Sequence, residues 1–202
     1  MANFTRDGYG QVEPNQLSAQ KTGQIYASLP LDKNVNVLQN GEFMYYDYAS
    51  GTVTANGKGE PMLVFNEVKL YENFGQTSYK DFAMIRVGEN YVTTDSAKAR
   101  FGGQTGTPVA NPHTGGYRTD GIAPRLFKTN VGDVYTTNMV ETGVQYAEGD
   151  VLKLKKVASA GGGTGQTMIL SKTGTEPAVE FVVGKVYTMA DGQPALKLQR
   201  IK

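Results

Sequence analysis

The 202-residue chain has no cysteine, no tryptophan and a single histidine, His113. Without Cys, neither a disulfide framework nor a thiolate metal site can form, and thiols give no information about redox compartment. One imidazole leaves His-based zinc sites and Ser-His-Asp triads almost no material to draw on. An excess of one charge is also missing: 20 Lys and Arg stand against 19 Asp and Glu, interspersed along the chain, for a net charge of +1. There is no basic stripe of the kind that replaces counterions on nucleic-acid phosphates, so direct nucleic-acid binding is not expected. No apolar run approaches the roughly 18 residues of a membrane span, and residues 1–7 lack the apolar core of a signal peptide. The chain reads as a protein made and kept in solution until it assembles with something. No stretch keeps a helical period for three turns.

What is abundant is turn and strand chemistry. Gly accounts for 25 residues, about twice the usual share of roughly 7%, and Tyr for 12. With plentiful Val and Thr this predicts an all-β fold of short strands, sandwich or barrel-like, in modules joined by many turns. Residues 1–30 contain isolated apolar residues without a period of 2 or 3.6. Such a segment cannot repay the entropy of its own ordering, which predicts an extended N-terminal arm. Phe4, Tyr9, Ile25 and Tyr26 are its candidate contacts with a neighbouring subunit.

Residues 31–124 read as a β-rich domain. Asn40-Gly41 between two β-prone runs is a strong hairpin signal, since Gly supplies the positive φ that the turn requires. Strands are predicted over 52–54, from Pro61 to Tyr71 and from Asp81 to Val87, with Tyr91-Val-Thr-Thr94 following, and one helical turn over 96–100. Residues 102–124, with six Gly and three Pro, form a long loop of the kind that is functional or a linker in compact domains, and they place a boundary near Pro124.

Residues 125–202 form the third unit, a C-terminal β-module built on a repeat. Val131-Gly-Asp-Val-Tyr-Thr-Thr returns as Val183-Gly-Lys-Val-Tyr-Thr-Met, and Leu152-Lys-Leu-Lys-Lys-Val returns as Leu196-Lys-Leu-Gln-Arg-Ile. Each copy is expected as two strands joined by a loop, long in the first and residues 190–195 in the second.

Candidate chemistry is sparse. Gly161-Gly-Gly-Thr-Gly-Gln-Thr167 has a P-loop flavour, but Ala160 stands at the first Gly position and Gln166 at the Lys that would reach the phosphates. It reads as a hairpin tip. Asp47, Glu60, Glu67, Glu72, Asp81, Asp95, Asp120 and Asp133 show neither EF-hand spacing nor a clustered oxygen-ligand set, so a hydrolase using paired carboxylates would need them assembled by folding. Tyr45, Tyr46 and Tyr48 are the densest aromatic group; alternation puts Tyr46 and Tyr48 on one face and Tyr45 on the other, which favours packing over a stacking platform. His113 lacks partner ligands. No cofactor and no metal site is expected.

Three stretches carry a family resemblance. They are Val37-Leu-Gln-Asn-Gly-Glu-Phe-Met44 leading to Asp47 and Gly51-Thr-Val53, the run from Val131 to Asn138, and Tyr146-Ala-Glu-Gly-Asp-Val-Leu152. Together they cover about a third of the chain and resemble virion structural proteins of tailed bacteriophages, in particular capsid decoration or auxiliary head proteins. The resemblance implies a non-enzymatic protein at the capsid surface of the virion, synthesised in the host cytoplasm. Its partner would be the major capsid protein, which it would bind and stabilise in repeated copies on a symmetric shell or as a homo-oligomer. Its contact with the lattice is expected to be the N-terminal arm, by strand addition. The alternatives are another virion component, namely a head fibre, a head-tail connector or a receptor- or glycan-binding protein.

Overall fold

A computed structural model describes residues 3–6, 10–35, 37–66, 84–86, 89–92, 123–160, 163–189 and 192–202. Among these the protein is all-β apart from a single helical turn, α1 (Ala19–Thr22). The strands, in chain order, are β1 (Val12–Gln16), β2 (Ile25–Tyr26), β3 (Val37–Leu38), β4 (Phe43–Asp47), β5 (Thr52–Thr54), β6 (Met62–Val64), β7 (Met84–Arg86), β8 (Glu89–Val92) and β9 (Leu126–Phe127). They continue with β10 (Val134–Thr137), β11 (Val151–Ala158), β12 (Gln166–Ser171), β13 (Glu176–Thr188) and β14 (Pro194–Arg200). One sheet runs β1-β10-β14-β13-β11-β12-β4-β6-β9-β2, with β5 added on β4, and curls into a half-barrel; β3, β7 and β8 form a second, three-stranded sheet.

Alternation along the strands makes the concave side of the large sheet the core. On β11, Leu152 and Leu154 point inward; on β13, Val179, Phe181 and Val183; on β14, Leu196 and Leu198, and all seven are buried. Phe181 is central: its ring lies 5.6 Å from Phe43 and 5.6 Å, edge-on, from Tyr135. β4 buries both faces, with Phe43, Met44, Tyr45 and Tyr46 all in the core. Leu63 and Val64 of β6 are likewise fully enclosed, as the unbroken apolar run at that point predicts.

The repeat is real in the fold, but its two copies pair across each other. β13 and β14 make the expected hairpin, whose turn is closed by Gly192 at φ +87° donating its N–H to Met189 O. The equivalent strands of the first copy, β10 and β11, do not pair together. They flank that hairpin, β10 on β14 and β11 on β13. One substitution between the copies explains why the second runs straight on. In Asn130-Val-Gly-Asp133, Gly132 takes φ +95° and the Asp133 carboxylate accepts the Asn130 N–H at 2.8 Å. Ala147-Glu-Gly-Asp150 repeats the device, with Gly149 at φ +88° and Asp150 accepting from Ala147 N at 2.7 Å. Both Gly-Asp pairs are thus turns that launch a strand. At Val183-Gly-Lys185 the Asp is replaced by Lys, no such acceptor exists, and the chain passes through as a bulge inside β13.

Three sequence expectations are corrected. The described part of residues 1–30 is not a free arm: β1 pairs with β10 and β2 with β9, so the segment supplies both ends of the large sheet. Its lone apolar residues need no period because each enters a site the rest of the sheet has already built. The turn at Asn40-Gly41 forms, with Gly41 at φ +91°, but the flanking strands separate: β3 pairs with β7, while β4 pairs with β5, β6 and β12. The sheet also crosses the boundary expected near Pro124, since β9 pairs with β6 and β12 with β4. The helical turn over 96–100, the loop from 102 to 122, and His113 lie outside the described residues.

The two ends of the sheet are laced by side chains. Residues 17–24 run from β1 to β2, and 128–133 run from β9 to β10. Ser18 N and Oγ donate to Asp133, Asn130 Nδ2 donates to Ser18 Oγ at 2.7 Å and to Gln24 Oε1 at 3.1 Å, and Lys128 N donates to Gln24 O at 3.1 Å. This seam closes the gap that hydrogen-bonded strands leave open.

Candidate functional site

Of the four expected interface residues, three serve the chain itself. Phe4 is buried, its backbone exchanges hydrogen bonds with Val144 and Gly143 at 2.8 Å each, and its ring meets Tyr146 edge-on at 5.7 Å. Ile25 and Tyr26 lie opposite Phe127 and Leu126 in the sheet, and both are half-buried. Tyr9 lies outside the described residues. Ordering this segment is favourable because backbone ladders and buried rings offset the entropy together.

The surface that is open lies on the convex side of the C-terminal strands. Residues directly opposite one another in neighbouring strands point to the same face, and the register aligns Val151, Val182, Gln199 and Val134 in one row across β11, β13, β14 and β10. Val151 is 44% exposed, and Val182 and Val134 are half-buried. Ile201, just beyond β14, and Val131, in the turn before β10, add exposed apolar surface on either side of Arg200, whose carbonyl accepts the Gly132 N–H. The next row is charged, with Glu180 3.6 Å from both Lys153 and Lys202. On the other side, Lys185 lies directly opposite Lys197, both exposed, a like-charge cross-strand pair that costs stability. Singly exposed Val residues are ordinary; a row with a charged rim has the anatomy of a contact surface.

A second exposed feature is aromatic. Tyr26, Tyr46 and Tyr48 form a file with ring centroids 5.3 and 5.2 Å apart, and Ser28 Oγ hydrogen-bonds the Tyr46 hydroxyl. The file begins half-buried and ends at Tyr48, which is 76% exposed. The alternation read from the sequence is borne out, with Tyr45 turned to the opposite, buried side.

Among the described residues the carboxylates are dispersed among structural roles, and Glu67, Glu72, Asp81, Asp95 and Asp120 lie outside the described residues. Glu60 pairs with Arg200, which also donates to Thr129, and Asp47 accepts from Ser50 in the turn after β4. Glu141 gathers Lys155, Ser171 and Thr173, and these hydrogen bonds, Lys155 foremost, hold its carboxyl below the usual range. Among the described residues no group of three His, Cys, Asp or Glu side chains could hold a metal ion. Glu42, which the sequence reading passed over, is the exception in environment. It is fully enclosed, and burial pushes its carboxyl up to about 7 against the hydrogen bonds from Gln39 and Thr167. An acidic residue one place after an Asn-Gly turn and between apolar strands is the only signal that could have drawn attention to it. No protein-family model, no curated protein and no solved structure matches the chain.

Proposed function

We propose that this chain is a non-enzymatic structural protein of a tailed-bacteriophage virion. It acts as a decoration or auxiliary head protein that binds the outer lattice of the major capsid protein in repeated copies. The observation that carries the reading is the outward row Val151, Val182, Gln199 and Val134, apolar but for Gln199, with Ile201 beside it, held on a laced sheet and rimmed by charges. It supports adhesion as the mechanism: a preformed surface that buries apolar area on a neighbour while ordering little of its own chain. Symmetric repetition multiplies weak single contacts into firm retention. The resemblance at 37–53, 131–138 and 146–152 supports the same reading, because the Gly-Asp turns in two of those stretches launch β10 and β11, which carry Val134 and Val151.

The exposed end of the aromatic file favours a second reading, a receptor- or glycan-binding virion component, in which Tyr48 stacks on a ring of the ligand. Copy number separates the two. Quantitative mass spectrometry of purified particles is expected to give one copy, or a simple fraction, per major shell subunit. A dozen or fewer copies per particle moves the protein to the tail, connector or fibre, and absence from particles overturns both readings.

A further inference from the structure

Asn-Gly occurs twice in the chain, at Asn40-Gly41 and at Asn56-Gly57. This dipeptide is open to self-modification, because a Gly amide, with no Cβ beside it, can reach the side-chain carbonyl carbon of the preceding Asn. The fold treats the two copies differently. Asn40 is buried and its side chain is held by Asn66: Oδ1 accepts the Asn66 N–H at 2.7 Å, and Nδ2 donates to Asn66 O at 3.4 Å. The attacking group is engaged as well, since Gly41 N donates to Val64 O at 2.9 Å. Reaction there must wait until the turn opens.

Asn56 is exposed in the turn that leaves β5. Its Oδ1 accepts a hydrogen bond from Lys156 Nζ of β11 at 3.0 Å. Among the described residues neither its Nδ2 nor the Gly57 N–H has a hydrogen-bond partner. Asn56 N donates to Thr54 Oγ1 at 3.3 Å, which fixes the main chain ahead of the site without holding the side chain. Gly57 is required by packing: a Cβ there would lie 2.4 Å from Tyr45 Cβ and 3.1 Å from Asp47 Cβ, both on β4. The close approach to β4 thus keeps the least hindered amide next to an exposed Asn.

We propose that Asn56-Gly57 is a self-modifying site, where the chain closes to a succinimide and then becomes aspartyl or isoaspartyl, with Lys156 as the activating contact. The Gly57 nitrogen bonds to Asn56 Cγ and gives up its proton to water. The Cγ–Nδ2 bond then breaks, and the amide nitrogen leaves, protonated, as ammonia. Lys156 sits at the oxygen on which negative charge builds as Cγ becomes tetrahedral, and a cation there lowers the barrier. Water opens the ring at either carbonyl. Attack at Cγ gives Asp with the main chain unchanged; attack at the main-chain carbonyl gives an isoaspartyl residue whose main chain is one carbon longer. The aspartyl product sets its carboxylate beside Lys156, so a neutral contact becomes an ion pair. Both products add one acid to the chain and take its net charge from +1 to 0. Fresh and converted molecules thereby differ in charge without any partner or enzyme. This holds whether or not the protein belongs to a virion.

Peptide mapping of the full chain by mass spectrometry tests it, after incubation at mildly alkaline pH and digestion in acid, where the ring closes slowly. In the folded chain Asn56 is expected to convert about 100-fold faster than Asn40, whose side chain and following amide are held by three hydrogen bonds. In urea the two are expected to convert at similar rates. Lys156→Met is expected to slow Asn56 about three- to tenfold in the folded chain and to leave its rate in urea unchanged, and Lys156→Arg to restore the folded rate. Equal rates at the two positions in the folded chain overturn the site, as does an Asn56 that stays intact there while converting in urea. That comparison is made on the wild type and needs no variant. A folded Lys156→Met chain that converts as fast as the wild type overturns the activating contact.

Discussion

Ser18 and Asp133 face each other across the seam of the sheet, with Ser18 Oγ 3.0 Å from Asp133 Oδ2 and Ser18 N 3.2 Å from Oδ1. The same buried carboxylate accepts from Asn130 N, so one side chain holds both a strand-launching turn and the junction between the sheet's two ends. Asp133→Ala strands three donors at once. At about 1 kcal/mol for each lost bond, urea unfolding is expected to show a loss of about 2–4 kcal/mol; an unchanged midpoint would mean the seam contributes nothing.

Tyr135 gives a prediction of the opposite sign. Its ring is fully buried against Phe181, yet its hydroxyl finds no hydrogen-bond partner among the described residues. Burying an unpaired hydroxyl costs about 1–3 kcal/mol, and Tyr135→Phe removes only that oxygen. The variant is expected to be at least as stable as the wild type and to gain about 1 kcal/mol in denaturant titration. Phe181→Ala, by contrast, empties the centre of the core and is expected to lose about 3–5 kcal/mol.

Stability should peak on the acid side of neutral. The Glu42 carboxyl, raised to about 7 by burial, contributes stability that is fully present below its ordinary value and is lost as pH rises through 7. A raised value of that size corresponds to up to about 3 kcal/mol. Glu141 and Asp150 act in the other direction: their carboxyls are held low, by Lys155 and by the Ala147 N–H respectively, so their contribution is lost as pH falls below the ordinary carboxylate range. Both are half-buried at the surface, where solvent screening keeps their contribution small. Thermal melts from pH 4 to pH 9 should show the wild-type Tm falling as pH rises from 4.5 to about 7 and levelling off above that, and this fall should be absent in Glu42→Gln.

How much of this was open to sequence reading depends on whether the information is local. The all-β class and the strands at 52–54, 62–64 and 84–86 follow from composition, alternation and Gly-rich turns, while the strand expected from Tyr91 already starts at Glu89. Strand partners do not. Asn40-Gly41 makes its turn as the local rule requires, but β3 and β4 bury different faces and so leave in different directions. The repeat showed that β10 resembles the second half of β13, and nothing in it showed that the copies would interleave. Among candidate site residues, Phe4, Ile25 and Tyr26 make contacts within the chain's own fold, and one chain's pattern cannot say whose sheet such residues join. The row of Val151, Val182 and Val134 was invisible because it exists only once the register of four strands is fixed.

That row is where the proposed adhesion can be broken without disturbing the fold. Val182 points outward and is half-buried, so Val182→Glu is expected to change stability by less than about 1 kcal/mol while placing a charge in the centre of the contact. Occupancy on particles, measured by mass spectrometry against the shell protein, should fall at least tenfold. Full occupancy would move the contact elsewhere on the surface, with the aromatic file ending at Tyr48 as the next place to mutate.

The interleaved sheet also sets a timetable for synthesis. Val12 finds its partner only when Thr137 has been made, and β10 in turn leans on β14, completed at Arg200. A ribosome therefore releases the first strand long before anything exists for it to pair with, the partners of the seam are complete only at Asp133, and the strand that backs β10 is complete only at Arg200. Such late, long-range closure is slow, and until it happens β1 is an unpaired strand that a second nascent chain could capture. Crowded translation of many copies at once is thus the condition under which this fold is most exposed to exchanging its first strand between molecules.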